Sequence, residues 1–66
     1  MIENLQEAYL NDAANMESQI SAAHYRYTNA EAMEINHTEK LLLGRLISVG
    51  REYAVILNQL AEANKS

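Results

Sequence analysis

The sequence predicts an all-α protein: an antiparallel two-helix hairpin, completed by dimerisation or by a helical partner. Three observations carry this. Proline is absent and both glycines fall in the second half, so nothing in the composition opposes long helices. Apolar residues recur at steps of three and four in both halves, the period of an amphipathic helix. The two stripes are also out of phase. The first, projected forward, reaches residue 37, whereas the second, run backward, reaches Ile35. Two residues at about 100° each rotate the stripe by roughly 200°, so one straight helix would show its apolar faces on opposite sides. Folding back lets the faces meet.

The first helix is expected over about residues 3–35. Its stripe is Ile2, Leu5, Tyr9, Ala13, Met16, Ile20, Ala23, Tyr27 and Ala30, with mostly polar residues elsewhere. Polar residues gather across 28–40, and two helix-start signals lie among them. Thr28-Asn29-Ala30-Glu31 has the form of a capping box, and Asn36-His37-Thr38-Glu39 offers a second start. The turn is placed at about 36–38, with 28–30 as the alternative, and the second helix at about 39–63. Residues 1–66 then form a single domain.

The second helix carries two apolar rows. Leu42, Leu46, Val49, Tyr53, Ile56, Leu60 and Ala63 form one; Leu43, Ile47, Gly50, Ala54, Leu57 and Ala61 form the other. The large residues of the first row suit the alternating large and small residues of the first helix, so this row is assigned to the intramolecular contact. The second row is then the expected partner-binding surface. Its small residues allow close approach, and Leu43, Ile47 and Leu57 serve as anchors. Burying a Leu or Ile side chain contributes roughly 1.5–3 kcal/mol, a large share of what so small a domain has. An apolar sector this wide marks a helix sandwiched between neighbours.

Size supports the need for a partner. A chain of 66 residues buries only about 60% of its unfolded surface, and such chains lean on disulfides, metals or oligomerisation. Cysteine is absent, which removes disulfides and thiolate metal sites. No apolar run approaches the roughly 18 residues of a membrane span, and MIENLQEAYL lacks the basic and apolar regions of a signal peptide. A cytoplasmic address without membrane attachment is the expectation. The net charge of −4 resides in residues 1–33, where five acids stand against Arg26 alone; residues 34–66 balance four acids with four bases. That distribution disfavours nucleic acid, whose phosphates need basic partners.

Candidate chemistry is sparse. Glu34-Ile35-Asn36-His37 has the Glu-x-x-His spacing found in carboxylate-bridged di-iron bundles, where two helices each present such a pair. Here both residues fall near the turn and away from the helical core frame, so the expectation is solvated turn residues and no metal. His24 has no nucleophile or acid arranged around it in a recognisable motif and reads as a boundary packing residue. Tyr25 and Arg26 form a small candidate patch for partner contact. Phosphate-binding glycine loops, nucleophile elbows and zinc spacings are missing. No catalytic residue, cofactor or metal ligand is assigned, and the protein is expected not to be an enzyme.

In length, acidity, lack of cysteine and two-helix layout, the chain resembles the small helical-hairpin co-chaperones of type III secretion needle subunits. The resemblance implies an adaptor whose exposed seam docks on a larger helical chaperone. The alternative is a self-assembling, homodimeric four-helix bundle of the kind formed by phage or bacterial regulatory mini-proteins. A di-iron bundle is a distant third.

Overall fold

The computed structural model describes residues 4–65. It contains α1, Leu5–Thr28, and α2, His37–Ala63, packed side by side along their length. The molecule measures 47 × 18 × 14 Å, the dimensions of one pair of helices. The all-α hairpin expected from periodicity and phase is the fold observed.

Helix α1 begins where Asn4 caps it: the Asn4 Oδ1 accepts from the Glu7 N–H at 3.1 Å. An Asn cap satisfies one of the backbone donors that a helix start leaves without an internal partner. The far end comes seven residues earlier than the expected limit of 35. Thr28 Oγ1 donates to the carbonyls of His24 and Tyr25, and Asn29 Nδ2 donates to Tyr25 O at 2.8 Å. The Thr28–Glu31 sequence is therefore a helix end, not the capping-box start it resembles. Short polar side chains compete for backbone groups, and here they take the terminal carbonyls.

The connection runs through residues 29–36 rather than 36–38. A further helical turn forms as the Met33 N–H reaches Asn29 O at 2.9 Å. Glu34 then adopts φ 56°, the left-handed conformation. The Ile35 N–H donates to Ala30 O and the Glu34 N–H to Glu31 O. These two bonds make a Schellman motif with Glu34 at the left-handed position, usually occupied by glycine. Asn36 next caps α2, accepting from the Glu39 N–H at 2.8 Å. Asn36 opens the second of the two helix-start signals, so α2 starts at His37, two residues ahead of expectation.

The core is small. Ile20, Ala23, Ile47 and Ala54 form its centre, with Met16 and Leu43 packed against them. Ala13, Ala30, Gly50, Leu57 and Ala61 are also buried. The buried α1 residues follow the predicted stripe, although Leu5 and Tyr27 near the ends of the helix are about half exposed or less and Ile2 lies outside the described residues.

Candidate functional site: an apolar seam on α2

The two rows of α2 exchange the roles that sequence assigned them. Ile47, Gly50, Ala54, Leu57 and Ala61 are buried against α1, and Leu43 is half-buried. The expected partner-binding row is therefore the intramolecular seam. Leu42, Leu46, Val49, Tyr53, Ile56 and Leu60 are all exposed, with Val49 at 61% and Tyr53 at 52%. The surface available to a partner is this row.

The reason is how closely two helices can approach. At Gly50 a Cβ would stand 2.9 Å from Ile20 Cγ1, so the Ile20 side chain rests on the bare backbone of α2. Ala13 and Ala23 on α1 and Ala54 and Ala61 on α2 extend the close contact in both directions. Short side chains bring the helix axes together, which lets Ile20 rest against the backbone at Gly50 and leaves Ile47 and Leu57 buried in the same seam. Leu46, Val49, Tyr53 and Ile56 would hold the axes apart. A signal for this was in the sequence: a mid-helix glycine costs about 1 kcal/mol relative to alanine, and a close approach offsets that cost. The helix guaranteed to be present is the one on the same chain.

The geometry of the exposed row is regular. Leu46, Val49, Tyr53, Ile56 and Leu60 each directly precede a buried residue, so the exposed row is turned about 100° from the buried one. It runs from Leu42 to Leu60, about 27 Å at 1.5 Å per residue, with steps of four and three throughout. That spacing is the a/d pattern by which one helix receives another. Helix α1 carries Glu7, Asp12 and Glu17 against Arg26 alone, whereas α2, which bears the seam, balances Glu39, Glu52 and Glu62 with Lys40, Arg45 and Arg51.

The remaining candidates are dispersed. Glu34 sits in the left-handed turn and His37 opens α2, so the Glu-x-x-His spacing does not lie on one helical turn. Among the described residues no group of three or more His, Cys, Asp or Glu side chains is placed to hold a metal ion. His24 is exposed rather than at a packed boundary. Tyr25 and Arg26 are exposed as well, whereas the Tyr27 ring covers Gly44 and lies 5.1 Å from Lys40 Nζ, within cation–π range. Among the described residues no helix is long and apolar enough to cross a membrane.

These features define a class by form: a helical hairpin with one sealed seam and one open seam. Compared with protein families, curated proteins and solved structures, the chain finds no match in any of the three.

Proposed function

We propose that the protein is a non-enzymatic, helix-binding module, with Leu42, Leu46, Val49, Tyr53, Ile56 and Leu60 as its docking surface. The observation that carries this reading is the continuity of that exposed row beside a core with so few large residues. A hairpin whose interior is mostly alanine supplies little stabilisation by itself, while most of its large aliphatic residues stand in water. A helix laid along the seam would bury them. The scattered positions of Glu34, His37 and His24 support a binding role over catalysis.

Two forms of such a module are a heteromeric adaptor or co-chaperone and a self-assembling bundle. The layout resemblance to needle-subunit co-chaperones suggests the first. Antiparallel pairing of the row with itself, which sets Leu46 against Ile56 and Val49 against Tyr53, favours the second.

The test is thermal unfolding of the purified chain across a hundredfold range of concentration. The expected result is a transition that strengthens with concentration, or a weakly cooperative one, because folding is linked to association. A monomer melting cooperatively above about 50 °C at every concentration would show a hairpin that needs no partner. That outcome sinks the reading.

A further inference from the structure

We infer that the seam is occupied by a second copy of this chain, docked antiparallel so that two hairpins form a four-helix bundle about a two-fold axis level with Gln19 and Arg51. This rests on the helix-binding role proposed for the seam and names its occupant.

The exposed row is self-complementary. Its midpoint is position 51, and antiparallel pairing about that level sets Leu42 against Leu60 of the second copy, Leu46 against Ile56, and Val49 against Tyr53. Every apolar residue meets another, and a small one faces the largest at the centre, as interlocking helices require. Because α2 lies in the electrically balanced half of the chain, two copies of it meet without net repulsion.

The angle also fits. A helix in a four-helix bundle contacts two neighbours at directions about 90° apart, and the sealed and open seams of α2 differ by about 100°. The slightly wider angle sets the two α1 helices further apart than the two α2 helices. Polar side chains can bridge that gap.

An independent observation comes from α1. In an antiparallel pair of right-handed helices, the residues preceding the buried positions lie on the same face of both. On α1, Asp12, Gln19 and Ala22 precede the buried Ala13, Ile20 and Ala23, and Ala8, Asn15 and Arg26 continue that row by preceding Tyr9, Met16 and Tyr27 of the same stripe; the row is made of small, polar and charged residues. The contact of Ile20 with Gly50 fixes the register of the hairpin, which puts Gln19 level with position 51. The axis that centres the apolar row of α2 therefore passes Gln19. About that axis Gln19 meets Gln19 of the second copy, and Asp12 meets Arg26 of the second copy twice over. Within one chain Asp12 and Arg26 are about 21 Å apart along the helix, too far to pair. Among the described residues the only ion pair is Lys65 with Glu62. Arg26, the sole basic residue of the acidic first half, thus stands where the dimer places an aspartate. Glu52 would lie nearest its own copy at the outer, solvated edge, where like-charge repulsion is screened.

The experiment is sedimentation equilibrium of the full chain and four variants: Asp12→Arg, Arg26→Asp, the double exchange, and Val49→Glu. All three sites are exposed, and neither Asp12 nor Arg26 takes part in an ion pair of the hairpin. The expected result is a dimer weakened about tenfold by either charge reversal, restored by the double exchange, and dissociated by Val49→Glu. A parent chain that stays monomeric at 100-fold above micromolar concentration overturns the second copy as occupant, while the seam stays available to another helix. Dissociation by Val49→Glu with indifference to both charge reversals overturns the antiparallel two-fold arrangement. A dimer untouched by Val49→Glu overturns the inference together with the docking role of the seam.

Discussion

Ile20 occupies the space that a side chain at Gly50 would need. A Cβ at position 50 would stand 2.9 Å from Ile20 Cγ1 and 3.3 Å from its Cδ1, with Met16 Sδ at 3.5 Å. The close approach of the two helices at this level therefore depends on one missing side chain. That contact fixes both the rotation and the register of α2 against α1.

Gly50→Ala is accordingly expected to destabilise the hairpin. Alanine gains about 1 kcal/mol of helix propensity, but overpacking a tight contact costs about 1–3 kcal/mol. The clash falls on Cγ1 of a β-branched side chain, near the backbone, where little can yield. Gly44→Ala makes the contrast: its Cβ would stand 3.3 Å from Tyr27 Cε2, and that ring is 39% exposed and free to swing aside. It should raise the melting temperature. Thermal unfolding of both variants, with equal changes in the two, would refute the packing account of Gly50.

Glu34→Gly should stabilise the fold by up to about 1 kcal/mol. Glu34 holds φ 56° in the Schellman turn, a conformation that a side chain disfavours and glycine adopts freely. The gain is reduced by the greater freedom of glycine in the unfolded chain. Denaturant unfolding reads the difference directly, and a loss of stability would mean that the Glu34 side chain makes a contribution larger than its strain.

Asn36→Ala should cost about 1 kcal/mol, because the Glu39 N–H loses the acceptor that meets it at 2.8 Å. Asn36→Asp keeps the acceptor and adds a charge favourable to a helix N-terminus, so it should be neutral or stabilising. Hydrogen exchange at the Glu39 amide separates a local cap from a global effect: faster exchange confined to the first turn of α2 is the expected pattern.

Much of the architecture was legible in the chain itself. The α1 stripe from Tyr9 to Ala23 is the face that packs, and the chain folds back as expected, although the row from which the phase shift was read, Leu42 to Leu60, is the one left exposed. The connection was harder to place. Thr28-Asn29-Ala30-Glu31 contains the side chains of a helix start, yet the same hydroxyl and amide groups can take terminal carbonyls and end a helix. The left-handed residue was hidden for a similar reason, since Glu34 sits where glycine is the usual signal. Local composition does not choose between these uses of the same groups.

Sequence by itself determined that there are two amphipathic helices and that α2 carries two parallel apolar rows. Which row meets α1 was only hinted at by Gly50, because the rows share one period and differ in side-chain size. The tertiary structure decided that. Helices pack to the shortest distance their side chains allow, so α1 settles on Gly50, Ala54 and Ala61, and Leu42 to Leu60 is left facing outward.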